Sequence, residues 1–582
     1  MTQPRLQKPP SSQQQQEQQE QPDSVPAVGN DDPSRVWLPE VVHQFAGFLS
    51  GNELACTLRR VNKATAAQFR APEHTTVRLQ LPVPHHAFAW RWGGGSATRS
   101  LTVRQRRQLP CLAARSGSIA NLEVLLARGD LTSPSEVEVM EAAAAAGQLE
   151  VCRWLRQQGV PVTQDVLEAA AEAGQLEVCE WLLAEGCRLT ADLVWLAAGG
   201  DHRAVCEWLI AQDCPVNMRA AAAAARFGHV GLMDWLLART PGDPVPDVWR
   251  LLEAAAAGCD LPTLQRLHRT YLDNRDGELV FNEQAWVAAA AGSPTVDWRA
   301  KVAWLEGRGD NSRSESACKE AAQRVDGRDR LEWLEARGYP ISYFVAYWAA
   351  GQGNTDALEL LLARGVQPDV ALADAAAHLA ALGGHLAALK VLHAQGTHID
   401  LGPVAAAAAS GGHLPVVSWL VEVLGSATTL EASLYTVAAR SDNGTELWAS
   451  LRDAGCPWNE SVFGAAAYLG SEEQLEWLVE RGCPMGDGCA PYLRALENAD
   501  VAMLHCLRRL GCPWGQVGIT FWCAIEACCT KTRSLRKQLL LALPWLVEQG
   551  CPVDWDAVVW RAEMEGSSEV LAWVRQLRPQ SV

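Results

Sequence analysis

The sequence predicts an all-α protein, a solenoid of about fifteen short helix-turn-helix repeats, because a single unit recurs along most of the chain. The stretch Gly-Gln-Leu-Glu-Val-Cys begins at Gly147 and again at Gly174, and each copy ends in a Trp-Leu pair. The tryptophans of successive copies lie 27 residues apart, at Trp154, Trp181, Trp208 and Trp235. Each interval also holds two runs of apolar residues at helical spacing, so one unit contains two helices.

The first 33 residues differ from the rest of the chain in composition. They contain a glutamine run, Gln13 to Gln16, among further Gln, Glu, Pro and Ser. Such a segment buries too little apolar surface to offset the entropy lost on ordering. We therefore predict a disordered Gln-rich tail over residues 1–33 and a first helical segment over residues 34–71, where apolar residues appear at helical spacing.

A loop-rich connector is predicted over residues 72–110. Thr76 to Leu81 alternate in polarity, which is typical of a short strand. Pro82 and Pro84, followed by the glycines of residues 93–95, indicate turns. This connector leads into the repeats.

One repeat shows how the array of residues 111–578 is built. Its first helix is predicted over Asp165 to Ala173 and ends at Gly174, and its second over Leu176 to Glu185, ending at Gly186. The first helix is rich in alanine, whereas the second carries bulkier apolar side chains that one unit cannot cover alone. Neighbouring units must therefore stack.

Later repeats vary in length but keep the same anchor position. The spacing is disturbed around Tyr271 to Glu283 and Ser293 to Trp298, which predicts inserted loops there. Repeat boundaries between residues 260 and 330 stay open for the same reason.

Charge and hydropathy restrict the class of partner. Lys and Arg number 50 against 67 Asp and Glu, a net charge of -17, which disfavours a general attraction to nucleic acid or anionic lipid. No apolar run reaches the roughly 18 residues of a membrane-spanning helix, and the N-terminus lacks the apolar core of a secretory signal. We expect a soluble cytoplasmic or nuclear protein with a protein partner along the array and neither a nucleic-acid nor a membrane partner.

Motifs for catalysis are absent from the sequence. It contains no phosphate-binding loop, no Gly-x-Ser-x-Gly elbow, no His-Glu-x-x-His pair and no cluster of metal-ligand spacing. We therefore expect a protein that is not an enzyme and that uses no cofactor and no metal. An enzyme such as a lipid phosphodiesterase is a remote alternative that no motif supports.

Three residue types recur with the repeat and allow two interpretations each. Cys152, Cys179 and Cys206 predict core packing, with a metal or redox ladder as the alternative. The recurring tryptophans predict burial in the stack, with an exposed aromatic strip as the alternative. Histidines recur at one turn position, where bracing of the turn is preferred to metal binding. They are His229, His385 and His413.

The repeats resemble the ankyrin family. The pattern Gly-His-Leu followed by apolar residues, typical of that family's second helix, occurs at Gly384 and at Gly412. The resemblance implies a solenoid that binds other proteins. The units here are shorter than that family's period of about 33 residues and lack its Thr-Pro-Leu-His opening.

The segment before the repeats resembles an F-box. The apolar residues and the proline that carry this likeness are Leu38, Pro39, Val42, Phe45, Leu49, Leu54, Leu58 and Val61. The resemblance implies that these eight residues dock a Skp-type adaptor of a cullin ubiquitin ligase, while the repeats bind the substrate. The alternative is a helical cap on the first repeat, in which case the protein is a scaffold or adaptor with no link to ubiquitin.

Overall fold

The computed structural model of the chain describes residues 37–128, 136–240, 245–272, 283–308, 313–366, 370–396, 399–424, 432–439, 444–530, 533–565 and 568–578. Over these ranges it holds 37 α-helices, one short 3-10 helix at Leu58–Arg60 and no strand. No helix in this part of the chain is long and apolar enough to cross a membrane. The predicted tail, residues 1–33, and most of the predicted insertion at Tyr271 to Glu283 lie outside the described ranges.

Five short helices precede the repeats: α1 (Pro39–Ala46), α2 (Gly51–Cys56), α3 (Lys63–Gln68), α4 (Pro72–Thr75) and α5 (His85–Trp92). A small core made by α1 to α3 is separate from the core of the array. Its members are Val42, Ala46, Leu54, Leu58 and Phe69. The domain boundaries at residues 33, 71 and 110 stay predictions.

Sixteen helix pairs follow. We call the first helix of each pair its A helix and the second its B helix. The first eight pairs are α6 (Val103–Arg115) with α7 (Ile119–Leu126), α8 (Glu136–Ala145) with α9 (Leu149–Gln157), α10 (Gln164–Glu172) with α11 (Leu176–Ala184), α12 (Ala191–Gly199) with α13 (Arg203–Ala211), α14 (Met218–Arg226) with α15 (Val230–Leu237), α16 (Val245–Gly258) with α17 (Leu261–Tyr271), α18 (Glu283–Ala291) with α19 (Trp298–Glu306), and α20 (Glu315–Ala322) with α21 (Gly327–Ala336).

The other eight pairs are α22 (Tyr343–Gly351) with α23 (Thr355–Ala363), α24 (Val370–Leu382) with α25 (Leu386–Ala394), α26 (Leu401–Ser410) with α27 (Leu414–Leu424), α28 (Ser433–Ala438) with α29 (Gly444–Asp453), α30 (Glu460–Leu469) with α31 (Glu472–Glu480), α32 (Ala490–Glu497) with α33 (Val501–Arg509), α34 (Ile519–Thr530) with α35 (Arg533–Glu548), and α36 (Trp555–Met564) with α37 (Ser568–Leu577). Most of the buried apolar residues form one continuous core along these pairs.

The array curves because the two helices of each pair differ in side-chain size. The A helix α14 buries six consecutive alanines, Ala220 to Ala225, where it meets the neighbouring A helices. Such small side chains let successive A helices approach closely, whereas the B helices, which carry the tryptophans, stay farther apart. The A helices therefore line the inside of the curve.

Glycine is required at the turn between the A and B helices. Gly174 has a φ of 75°, in the left-handed region that L side chains rarely adopt. A Cβ atom at this position would also collide with the imidazole of His202, which reaches back from the next repeat. Glycine is therefore needed at this position for two reasons: it ends its own helix, and it leaves room for the side chain that reaches back from the next repeat.

Polar side chains at this turn tie each repeat to the one before it. Gln148 Nε2 donates to the carbonyl of Arg115 at 3.1 Å, and Asn354 Nδ2 donates to that of Ala322 at 3.0 Å. His413 Nε2 lies 2.9 Å from the carbonyl oxygen of Leu382. Each carbonyl belongs to the last residue of the preceding A helix, where no intrahelical donor is available. The predicted bracing role is confirmed for His413.

In the middle of the array, two buried cations bind the carbonyl groups that tie one repeat to the one before it. Lys301 Nζ on α19 donates to the carbonyls of Ala256 and Cys259, at 2.6 and 2.8 Å, and to Ser293 Oγ at 2.7 Å. Arg330 Nη1 on α21 donates to the carbonyls of Ala291 and Ser293. Burial lowers the pKa of Lys301 to about 8. All three donor positions of this ammonium group are used inside the core.

Replacing Lys301 with methionine is expected to lower the free energy of unfolding by about 2 to 5 kcal/mol, because several buried acceptors lose their donor. The exposed Lys390 on α25 is the matched control, and Lys390→Met should change stability by less than about 0.5 kcal/mol. Urea denaturation followed by circular dichroism measures both. Equal stabilities for the two variants would contradict the bracing role of Lys301.

The same variant should reveal a pH dependence. The ordinary pKa of lysine, 10.5, lies above the value of about 8 for Lys301 in the fold, so the unfolded chain binds this proton over a range where the folded chain has released it. The advantage of the natural protein over Lys301→Met should therefore grow as the pH rises from about 8 to 10.5. An advantage that stays constant over this range would contradict the lowered pKa.

The predicted strand at Thr76 to Leu81 is wrong. This segment is irregular and contains a turn. Its backbone pairs with a side chain instead, since Asn52 Nδ2 donates to the carbonyls of Arg78 and Pro82, and Arg78 N donates to Asn52 Oδ1 at 2.8 Å. One buried amide thus satisfies groups that a partner strand would have paired.

Candidate binding surface

The A helices leave one face open on the inside of the curve. On α10, Val166, Leu167, Ala170 and Ala171 are buried, whereas the positions between and beside these pairs are exposed or half-buried. The same alternation recurs on the neighbouring A helices because they share the helical period. We call the surface formed by these open positions of the A helices the inner face.

Carboxylates dominate the inner face near the start of the array. We call the following six, on α8, α10 and α12, the acidic segment: Glu138, Glu141, Asp165, Glu168, Glu172 and Asp192. The pKa of Glu141 is raised by partial burial and then by the negative charges of Asp165 and Glu138. Like charges therefore lie close enough to repel one another, and a bound cation would relieve this repulsion.

Charges are paired from the last residue of the acidic segment, Asp192, onward along the inner face. Arg219 Nη1 lies 3.7 Å from Asp192 Oδ1, and Arg226 Nη2 lies 3.8 Å from Glu253 Oε1, in both cases between neighbouring A helices. Trp195 on α12 is 41% exposed at the edge of the acidic segment. The negative potential thus declines where arginines enter the inner face.

An aromatic cluster lies on the inner face of α22 and is formed by Phe344, Tyr347 and Trp348. Phe344 is 40% exposed and stacks on Tyr347 with ring centroids 6.0 Å apart, and Tyr347 meets Trp348 edge-on at 5.3 Å. Lys319 Nζ lies 4.6 Å from the centroid of the Trp348 ring. Rigid aromatic groups of this kind bury much area with little loss of entropy, which suits a contact surface.

The eight residues that the sequence nominated for adaptor binding do not share one environment. Val42, Leu54 and Leu58 are buried in the small core of α1 to α3, and Leu49 packs partly against it. Four others are exposed: Leu38, Pro39, Phe45 and Val61. Three of the nominated residues therefore serve the packing of this segment and are not available to a partner.

The recurring cysteines belong to the core. Cys152, Cys179 and Cys206 are fully buried, and burial raises the pKa of each thiol to about 12. Their predicted packing role is confirmed. In the part of the chain that the structure describes, no group of three or more His, Cys, Asp or Glu side chains is arranged to hold a metal ion.

The recurring tryptophans pack against the core as predicted, but they are half-buried, and they do not form an exposed strip. Trp154, Trp181, Trp208 and Trp235 each pack one side against the core. The outer side of Trp235 meets Arg239, whose guanidinium carbon lies 4.1 Å from the ring centroid. The spacing identified the repeated position, but it did not show that a B helix at the outside of a curve leaves part of a large ring uncovered.

Comparison with known proteins gives little that is specific. No protein-family model matches the chain, and no curated protein matches it. Similar solved structures include the pentatricopeptide repeat protein PPR10 from maize, at 12% identity and a TM-score of 0.26, with 82% of this chain and 80% of that chain covered. PPR10 in complex with an 18-nt psaJ RNA element matches at 12% identity and a TM-score of 0.23, over 93% and 96%. A likeness at this level assigns neither a partner nor a residue role.

The ankyrin and F-box resemblances are therefore corrected. The similar structures are pentatricopeptide repeat proteins, and no family model supports either resemblance. The Gly-His-Leu pattern follows from the turn itself, where Gly384 has a φ of 76° and the histidine reaches the preceding repeat. The Leu-Pro pair and the apolar residues after it reflect a helix that begins at Pro39 and a small core. A Skp-type adaptor and a ubiquitin ligase thus have no basis here.

The expectation of no nucleic-acid partner does not stand as an exclusion, and the similar structures include a repeat protein solved with RNA. It rested on the net charge of -17, which is a property of the whole chain. Net charge does not fix the potential of a particular surface. What the fold defines is an all-helical array of repeats with a curved inner face.

Proposed function

We propose that the protein is a non-catalytic scaffold that binds a polypeptide along its inner face. The observation that carries the proposal is the change in chemistry along the open face of consecutive A helices, from the acidic segment to the aromatic cluster. Arrays of repeats present such a face as an extended binding surface, on which each repeat contributes a few side chains.

Charge complementarity favours a basic polypeptide at the acidic segment. The six carboxylates lie on three consecutive A helices, and the pKa of Glu141 is raised first by burial and then by the charges of Asp165 and Glu138. Lysine and arginine side chains would relieve this repulsion, whereas the phosphates of RNA would add to it. Arginine also stacks on aromatic rings, so Trp195 offers a second contact beside the carboxylates.

The proposal is tested with a short Lys/Arg-rich peptide, an acidic peptide of equal length and a single-stranded RNA, each labelled for fluorescence anisotropy. We expect the basic peptide to bind. The triple variant Glu141→Gln, Asp165→Asn, Glu168→Gln should weaken that binding at least about tenfold, which corresponds to roughly 1.4 kcal/mol. Raising the salt concentration should weaken the natural protein in the same direction.

A matched control separates the acidic segment from the total charge of the protein. Glu150, Glu177 and Glu180 lie exposed on the B helices α9 and α11, and their replacement by glutamine removes the same three charges from the outside of the curve. This control should bind like the natural protein. Equal weakening by both triple variants, or binding of the RNA in place of the basic peptide, would refute a basic polypeptide as the partner.

A further inference from the structure

The start of the array touches its late repeats, so the solenoid meets itself. Helix α6 packs against α30 and pairs through Arg106 with Asp500, the N-cap residue of α33, while Arg99 in the loop before α6 reaches α31. We propose that this contact is a reversible clasp that closes and opens the array. The clasp is formed by Arg99, Arg106 and Arg107 on one side and by Glu472, Glu476, Asn498 and Asp500 on the other.

A buried ion pair lies at the centre of the clasp. The side chains of Arg106 and Asp500 are 1% and 0% exposed, and 394 residues separate them in the sequence. Arg106 Nη1 donates to Asp500 Oδ1 at 3.1 Å, and Nη2 donates to the other carboxylate oxygen. Asp500 also accepts from Met503 N as the N-cap of α33. Its carboxylate is therefore held in place for the arginine by its own helix.

A second layer of charges surrounds this pair. Arg99 pairs with Glu476 and lies 3.7 Å from Glu472, while Arg509 binds the same two carboxylates at 2.7 and 2.9 Å. The backbone N–H of Glu473 donates to the carbonyl of Arg99 at 3.3 Å. The charges of two arginines and two glutamates thus cancel. One of these arginines, Arg99, lies on the side of the clasp that precedes α6, and the other three residues lie on the opposite side.

The clasp is polar, unlike the continuous apolar core between successive repeats. Many buried polar side chains of the described ranges fall in its two segments: Thr98, Thr102, Gln105, Arg106, Ser471, Glu472, Gln474, Asn498 and Asp500. A cavity of about 440 Å³, lined by Arg104, Arg107, Tyr468 and Asn498 among others, remains between the two sides. Polar, incompletely packed contacts within a chain separate more readily than apolar cores, because their charges regain water on opening.

Opening of the clasp would change access to the inner face. When the clasp is shut, the first and late repeats of the array are joined. An extended partner then has to thread its own end into the space that the inner face encloses. When the clasp is open, the partner can enter through the gap between the first and the late repeats. The clasp itself does not depend on the partner, whereas this consequence for access rests on the proposed function.

The test compares the full-length natural protein with two variants by small-angle X-ray scattering across a range of salt concentrations. Arg106→Gln breaks the central pair and should increase the radius of gyration while the helix content measured by circular dichroism is retained. Arg99→Cys with Glu473→Cys should close a disulfide when the protein is treated with a thiol oxidant such as diamide, because a backbone hydrogen bond holds these two residues next to each other. This locked form should keep its dimensions in high salt, where the natural protein should expand.

Arg156→Gln is the matched control, since Arg156 pairs with Glu185 between neighbouring B helices and takes no part in the clasp. It should leave the radius of gyration unchanged. If the natural protein and the locked form respond identically to salt, the contact is permanent and the proposal is wrong. Loss of helix content in Arg106→Gln would equally overturn it, because the contact would then be part of the core that the fold requires.

Discussion

Replacing Trp448 with alanine is expected to lower the free energy of unfolding by about 3 to 5 kcal/mol, the usual range for deleting a buried aromatic side chain. Trp448 on α29 is fully buried, unlike the recurring tryptophans of the early repeats. Its Nε1 donates to the carbonyl of Tyr435 at 3.1 Å, and its ring meets those of Tyr435 and Trp477 with centroids 6.3 and 6.1 Å apart. Deletion therefore leaves a cavity between two consecutive helix pairs and removes one of the two hydrogen bonds that the Tyr435 carbonyl accepts.

Because each repeat contacts mainly its neighbours, the damage should stay local and divide the unfolding into two transitions. Urea denaturation followed by circular dichroism and by tryptophan fluorescence measures this division. Trp560→Ala is the control, since Trp560 is 57% exposed on α36, and it should change stability by less than about 0.5 kcal/mol. A cost below 1 kcal/mol for Trp448→Ala would show that the ring is not part of the core.

Mild alkali is expected to destabilise the protein strongly, because most of its thiols are withdrawn from water. Burial raises the pKa of thirteen cysteines from 9.0 to about 11 or 12. They are Cys111, Cys152, Cys179, Cys206, Cys259, Cys318, Cys456, Cys483, Cys506, Cys512, Cys523, Cys528 and Cys551.

The sign of the effect follows from the raised pKa of these thiols. The unfolded chain loses the thiol protons above about pH 9, whereas the folded chain keeps them to about 11 or 12. Stability is therefore fully present below pH 9 and declines above it, by up to about 1.4 kcal/mol per pH unit for each thiol. Lys301 acts in the opposite direction, but it is a single group.

Urea midpoints under reducing conditions from about pH 7 to 10.5 measure this decline. The triple variant Cys152→Ala, Cys179→Ala, Cys206→Ala should be less stable at neutral pH, because three core side chains are shortened. It should also lose stability less steeply in alkali, since three ionisable groups are gone. The same steepness in both proteins would mean that these thiols ionise as readily in the fold as in the unfolded chain.

Local structure could be predicted closely from the sequence. The helices predicted over residues 165–173 and 176–185 occur as α10 (Gln164–Glu172) and α11 (Leu176–Ala184), within a residue or two at each end. The ends of these helices lie next to Gly174 and Gly186, whose positive φ values of 75° and 100° are local properties. The burial of the repeated cysteines followed from the same period. Information within about 30 residues was sufficient for these features.

Features that depend on distant or three-dimensional relations could not be predicted. Arg106 and Asp500 are 394 residues apart, and nothing in either local sequence marks them as partners. The Gly-His-Leu pattern suggested a family, although the turn requires only its glycine, and Gln148 and Asn354 take the place of the histidine in other repeats. The alternation at Thr76 to Leu81 suggested a strand, but Asn52 captures that backbone from a helix. The inner face became visible only once the curve of the array placed Asp165 and Glu168 on its inside.

The self-contact of the array constrains the number of helix pairs between α6 and α33. An open solenoid gains or loses a unit by duplication or deletion and remains a solenoid, because every unit needs only its neighbours. In this chain one extra helix pair between α6 and α33 would carry Asp500 away from Arg106 by about the width of a packed helix, 8 to 10 Å. The buried charges of Arg106 and Asp500 would then each lose their partner. An extra pair between α6 and α33 should therefore break the clasp, whereas an extra pair after α33 should leave it intact.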